Sequence, residues 1–167
     1  SADFGAKRKE VAMAIAMLKE YLNRNRISYV MIGHRKAYTA QEVAESSHIT
    51  GHEIAKTVIV KIDGTLAMAV LPASERVDFD MLREVTGVRH VELAEEEEFA
   101  HLFNDCEVGA MPPFGNLFGM KVYVDPELAL DELIAFNAGN HTELMQMRYR
   151  DFESLVEPIM LEFGVVA

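Results

Sequence analysis

The chain has 167 residues, 50% hydrophobic and 26% charged, the composition of an ordinary soluble globular protein and enough for one substantial core. No apolar run approaches the roughly 20 residues of a membrane-spanning helix. The first residues lack the charged-then-apolar order of a secretory signal, and the single cysteine, Cys106, excludes an internal disulfide, so a cytoplasmic protein with no membrane partner is expected. The net charge of −11 argues against a general nucleic-acid binder.

The charge is unevenly spread. Residues 1–61 carry ten Lys/Arg against six Asp/Glu, whereas residues 62–167 carry six against 21. An acidic body repels phosphates at long range while a local basic strip captures one end of a nucleic acid; an unevenly charged solvated surface gives the same asymmetry.

In chain order, Val11, Ala14, Ile15, Leu18 and Leu22 recur at helical spacing and predict a helix over residues 7–25. Ser28 to Ile32 reads as a short strand. Thr39-Ala40-Gln41-Glu42 has the form of a capping box ahead of a short helix over residues 40–47. Lys56–Ile62 and Thr65–Leu71 flank Asp63-Gly64, a hairpin signal because both central residues of the favoured turn need positive φ. Asp78 is a candidate N-cap for a helix carrying Phe79, Leu82 and Val85, with Gly87 as its stop. Residues 89–93 read as a strand and Glu95–Phe103 as a helix whose first-turn acids complement the helix dipole. Met120–Val124, Leu133–Asn137 and Thr142–Tyr149 are further strands. Asp151–Phe163 is a helix kinked or divided at Pro158. The expected fold is mixed α/β: one partly curled mixed sheet of six to seven strands with helices around it, in a single domain over residues 1–167 with an N-terminal helical extension, residues 1–26.

Chemistry concentrates in few places. Gly109-Ala110-Met111-Pro112-Pro113-Phe114-Gly115 packs two glycines and two prolines into seven residues. Gly lets backbone N–H groups approach a ligand and Pro fixes the chain's course, so the loop is suited to holding an anion or a polarised carbonyl. A rigid crossover loop has the same composition. Lys56 opens a strand, where it can hold a phosphate as a point charge or simply extend to solvent. His141, in Asn137-Ala138-Gly139-Asn140-His141-Thr142, is a candidate general base or polar contact, or a turn histidine bonded locally. Cys106, between Asp105 and Glu107, lacks the positive surroundings of a reactive thiol. The other histidines show no metal-ligand spacing, so neither a metal nor a cofactor is expected. No nucleophile-and-base pair is visible.

Four segments in order resemble the YbaK/ProX-type aminoacyl-tRNA deacylase family, the domain also inserted in bacterial prolyl-tRNA synthetases. They are Tyr38-Thr39-Ala40-Gln41-Glu42-Val43-Ala44, Ala55-Lys56-Thr57-Val58-Ile59-Val60, Gly109 to Gly115, and Phe136-Asn137-Ala138-Gly139-Asn140-His141-Thr142-Glu143-Leu144. The resemblance implies a trans-editing hydrolase that cleaves the ester joining a wrong amino acid to the terminal adenosine of tRNA, with tRNA for proline as a candidate. It implies Lys56 as the functional lysine gripping phosphate or the terminal nucleotide. Gly109 and Pro113 match the family's G-x-x-x-P loop, with Gly109 aiding the carbonyl through backbone N–H. Ala110, Met111, Pro112, Pro113, Phe114, Gly115, Asn137, Gly139 and His141 are then expected to contact substrate. The partners implied are the tRNA acceptor end and, as a candidate, an aminoacyl-tRNA synthetase. A free hydroxyl of the terminal ribose is implied to orient water, in keeping with the missing nucleophile pair. The basic residues Lys7, Arg8, Lys9, Lys19, Arg24 and Arg26 either meet the acceptor stem or serve packing only. Two other readings stand beside it: a non-catalytic module binding aminoacyl-tRNA or a partner, and a general small aminoacyl-ester hydrolase.

Overall fold

A computed structural model describes residues 15–35, 42, 44, 47, 49–103, 106, 107 and 109–167. Of the predicted first helix, residues 15–24 (α1) are described and helical. Leu18 and Leu22, one turn apart, are buried. The helix ends without glycine: Arg26 takes a left-handed φ of 59°, the Arg26 N–H donates to Asn23 O, and the Ile27 N–H donates to Leu22 O. Those two bonds are the pair that closes a Schellman motif. The predicted capping box at Thr39 lies outside the described residues, as does most of the helix after it; residues 42, 44 and 47 are helical.

The strands among the described residues are β1 (Tyr29–Gly33), β2 (Ala55–Ile62), β3 (Thr65–Pro72), β4 (Glu75–Val77), β5 (Val91–Leu93), β6 (Lys121–Val124), β7 (Leu133–Asn137), β8 (Glu143–Arg148), β9 (Ile159–Met160) and β10 (Gly164–Val166). Past the helical residues 42, 44 and 47, the α-helices among the described residues are α2 (Phe79–Thr86), α3 (Glu96–Phe99) and α4 (Tyr149–Val156). They form a mixed α/β fold, but with three sheets instead of the one expected: β5-β2-β3-β6-β9, β1-β8-β7 and β10-β4. The count is ten rather than six to seven because β4, β9 and β10 are only two or three residues long, too short to show an alternating pattern.

The β2–β3 hairpin forms as expected, with Asp63 at φ 47° and Gly64 at φ 81°. Asp78 caps α2 by accepting from the Met81 N–H, and Gly87 stops it at φ 71°. The predicted helix from Glu95 divides into α3 and a 3-10 turn, Ala100–Phe103. The last predicted helix is shorter than expected. Glu157 turns left-handed at the end of α4, Pro158 falls outside it, and Ile159–Met160 pairs in parallel with β6. Proline disfavours helical backbone in the residue before it, so the chain leaves the helix there instead of kinking through.

Successive residues of a strand face opposite sides, and the five-stranded sheet is covered on both. Ile59, Met68, Val70, Val122 and Val124 face one cluster with Phe114, Phe136, Met145 and Phe152. Val60, Ile62, Ala67, Ala69 and Leu71 face the other, with Leu82 and Phe163. Burial on both faces explains why β3 reads as a continuous apolar run.

Phe114 is fully buried and meets Tyr21 of α1, Phe136 of β7 and Phe152 of α4 edge-on, at ring-centroid distances of 6.3, 5.6 and 5.7 Å. Phe114→Ala is expected to cost about 3–5 kcal/mol, measured as a lower midpoint in urea unfolding.

Candidate functional site

The three-stranded and five-stranded sheets meet where Ile54, just ahead of β2, forms an isolated parallel bridge with Ala135 of β7. The Ala135 N–H donates to Glu53 O at 3.0 Å, and the Ala73 N–H to Ile54 O at 2.7 Å. Lys56 and Asn137 each stand two residues past that bridge on strands running the same way. A two-residue step keeps a side chain on the same face, the face on which Ile54, Ala135 and Leu144 cluster. Lys56 is partly buried. The Asn137 Oδ1 is buried and accepts no hydrogen bond among the described residues, the condition of an acceptor that awaits a donor.

Beyond Asn137, strand β7 runs into a turn clasped to the Gly/Pro loop. The Glu107 N–H donates to Gly139 O at 2.7 Å, the Gly139 N–H to Ala110 O at 2.9 Å, and the Ala110 N–H to Glu107 O at 3.0 Å. The His141 N–H donates to Glu107 Oε2 at 3.0 Å. Gly109 at φ 80° and Gly139 at φ 106° occupy backbone conformations that favour glycine. A Cβ placed on Gly109 would lie 3.7 Å from His141 Cε1, so loop and histidine are in contact. Asn140 shapes the turn, its Oδ1 accepting from the Thr142 N–H, the Thr142 hydroxyl and the Glu143 N–H at 2.9, 3.2 and 2.8 Å.

The predicted site residues therefore divide. Lys56 and Asn137 follow the sheet bridge, while Gly109, Gly139 and His141 belong to the two clasped loops, with Gly109 exposed and His141 only 4% exposed. Ala110, Met111, Pro112 and Pro113 are buried behind Gly109. Phe114 and Gly115 are packing positions: Phe114 is the aromatic centre described above, and a Cβ on Gly115 would sit 2.5 Å from Val122 Cγ2 and 2.7 Å from Met120 O. Pro112 and Ala138 also line an apolar hollow of about 260 Å³ against α1, with Leu18, Tyr21 and Phe118. Glu107 escaped the sequence reading, since its partner lies 34 residues away and no local motif signals such a pair. Asn140 carried a weak signal, as Asn is a frequent turn former.

Electrostatics distinguish Lys56 from a solvated lysine. Burial lowers its pKa from the ordinary value, with the charge of Glu75 opposing. Glu75 is 8% exposed, and its carboxyl is held above the ordinary range, first by burial and then by the charges of Asp125 and Glu127, against His52 and Lys56. Asp125 is 1% exposed and accepts from the Glu127, Phe163 and Gly164 N–H groups at 2.9, 3.2 and 2.7 Å, fixing the C-terminal strand region. No group of three His, Cys, Asp or Glu side chains suited to a metal ion occurs among the described residues.

The strands and helices define a mixed α/β protein, and residues 34–155 match the aminoacyl-tRNA editing domain. The chain belongs to that family. It is 36% identical over 136 residues to the proline–tRNA ligase of Staphylococcus epidermidis, a match covering 75% of this chain and 24% of the ligase. It thus spans about a quarter of the length of such relatives. Among solved structures it is similar to a candidate trans-editing enzyme for prolyl tRNA synthetase, at TM-score 0.77 and 16% identity, covering 91% of this chain and 97% of that one. It is also similar to the hypothetical protein APE2540, at TM-score 0.78 and 21% identity, covering 89% and 99%. At these identities the structural likeness speaks for the fold alone.

The raised Glu75 carboxyl has a consequence for stability. A carboxyl whose folded-state pKa is raised costs nothing below its ordinary value of 4.5 and destabilises increasingly as pH rises through the raised value. Glu75→Gln is therefore expected to raise Tm at neutral pH, by about 2–4 °C per kcal/mol relieved. Thermal melts should show that gain disappearing near about pH 4.

Proposed function

We propose that the chain is a trans-editing hydrolase that deacylates mischarged aminoacyl-tRNA at the terminal adenosine, with tRNA for proline as the first candidate. Family membership supports the editing reading, and the observation that favours the chemistry is the Gly109–His141 contact in the turn that follows Asn137, which stands, like Lys56, two residues past one sheet bridge. In this reading Lys56 holds a phosphate of the terminal nucleotide. Its ammonium has already lost part of its hydration, so an anion replaces water at lower cost than at a fully solvated lysine.

The exposed Gly109 presents backbone N–H to the ester carbonyl, where negative charge develops as water attacks. The ribose oxygen leaves with a proton as the acyl carbon–oxygen bond breaks, giving free amino acid and uncharged tRNA. The free ribose hydroxyl orients the water, and Asn137 Oδ1 accepts a hydrogen bond from the hydroxyl or the water. Asn137, Gly139 and His141 form the wall opposite Gly109. The partners are the acceptor end of tRNA and, as part of the same proposal, a synthetase, acting in the cytoplasm; no helix among the described residues is long and apolar enough to cross a membrane. In the same reading Arg24 and Arg26, exposed at the end of α1, add phosphate contacts.

The acidity of residues 62–167 favours one rival, a non-catalytic module that binds an aminoacyl-adenosine-like ligand or a partner without turnover. Assaying tRNAs charged with alanine, cysteine, serine and proline separates the two. Turnover of one mischarged species is expected, and Lys56→Ala should reduce it by roughly a hundredfold or more. The Tm should hold, since removing a desolvated charge costs the fold little. Full activity in Lys56→Ala removes the assigned role; no turnover across the panel by folded protein favours the binding module.

A further inference from the structure

Glu107 lies outside every motif that marks the site, yet it is the residue on which both halves of the site are tied. Its N–H donates to Gly139 O at 2.7 Å and its carbonyl accepts from the Ala110 N–H at 3.0 Å. Its carboxylate Oε2 accepts from the His141 N–H at 3.0 Å. The Gly139 N–H returns the link to Ala110 O at 2.9 Å. Gly109, at φ 80°, thus stands between Glu107 and Ala110, which one of these bonds joins, a backbone conformation that favours glycine. The His141 ring lies against Gly109.

These four bonds differ in what a mutation can reach. Three are made by backbone alone and do not depend on the Glu107 side chain. The fourth, from the His141 N–H to the carboxylate, depends on the side chain, and a charged acceptor makes it the stronger kind of hydrogen bond. It fixes the start of the His141 side chain relative to Gly109, which sets the gap between the loop N–H groups and the opposite wall.

We propose that Glu107 is a positioning residue for deacylation: its carboxylate, through the His141 amide, holds the 139–141 turn at the distance from Gly109 at which the ester carbonyl is received. This rests on the deacylase reading. It requires an oxygen acceptor at the right reach but not a negative charge, and it gives Glu107 no proton to transfer.

The test uses the full chain with Glu107→Ala, Glu107→Gln and Glu107→Asp, measuring kcat and KM on the mischarged tRNA that wild type turns over, Tm, and amide hydrogen exchange at His141. Glu107→Ala is expected to lower kcat roughly tenfold to a hundredfold, the scale of about 1 Å of misplacement. KM and Tm should stay near wild type while His141 exchange accelerates. Glu107→Gln keeps an amide oxygen at the same reach and should recover most of kcat and of the slow exchange. Glu107→Asp keeps the charge but withdraws the oxygen by one methylene and should resemble Glu107→Ala.

Unchanged kcat in Glu107→Ala overturns the inference, as does a rise in KM alone, which would make Glu107 a substrate contact. Glu107→Gln as inactive as Glu107→Ala overturns it in favour of a charge or proton role. Should Glu107→Ala fail to fold, the contrast between Glu107→Gln and Glu107→Asp decides. A wild type inactive on every charged tRNA removes the deacylase reading and with it the catalytic part of the inference; His141 exchange then judges the clasp on its own, and unchanged exchange in Glu107→Ala removes that as well.

Discussion

Two peptide groups ahead of β2 govern the rest of the molecule. The carbonyl of Glu53 accepts from Ala135 in the three-stranded sheet, and the next carbonyl, of Ile54, accepts from Ala73 at the end of β3. Buried backbone groups must find partners, and here consecutive ones are satisfied by different sheets. The chain is therefore committed to both where β2 begins. Strand β5 covers β2 only at Val60–Ile62, so the edge between that cover and the Ile54–Ala135 bridge opens beside Lys56. Lys56 and Asn137 stand just past the one bridge that joins the two sheets.

The Gly/Pro loop is fixed from behind. Phe114 binds the Gly/Pro loop to α1, β7 and α4 through three edge-on ring contacts, and Gly115 brings backbone against Met120 where no side chain would fit. The loop thus has a buried half that fixes its place and an exposed Gly109 that faces outward. Rigid packing on one side lets the other keep a positive-φ glycine at a set distance from a second loop, a division of labour that suits backbone-mediated chemistry.

Charge is distributed to match. The acidic groups around Lys56 do not ion-pair with it directly: Glu75 acts on it only at longer range, and the Asp125 carboxylate is occupied by three backbone N–H groups. The His52 ring is engaged at 2.7 Å by Asp131 and at 3.5 Å by Glu127. Lys56 keeps a positive charge in a partly desolvated position within an acidic molecule. Such a charge attracts an anion locally while the protein as a whole repels polyanions, which suits the proposed contact with one end of a tRNA.

The sequence by itself determined the local elements and their chemistry. The Asp63-Gly64 hairpin, the Asp78 cap and Gly87 stop, and strands β2, β3, β6, β7 and β8 were legible, because turn glycines, capping side chains and apolar periodicity act over a few residues; the same signals single out Gly109 and Gly139, both at positive φ, as turn positions of the proposed site. Tertiary structure decided what depends on distant partners. The short strands β4, β9 and β10 exist only because other strands receive them, and α4 ends where β6 offers Ile159–Met160 a place. Phe114 and Gly115 read as loop wall in the sequence, yet packing with Tyr21, Phe136, Phe152 and Met120 makes them core. Glu107 becomes meaningful only when the chain folds back to bring the N–H of His141, 34 positions on, to its carboxylate, a coincidence of position that no local pattern encodes.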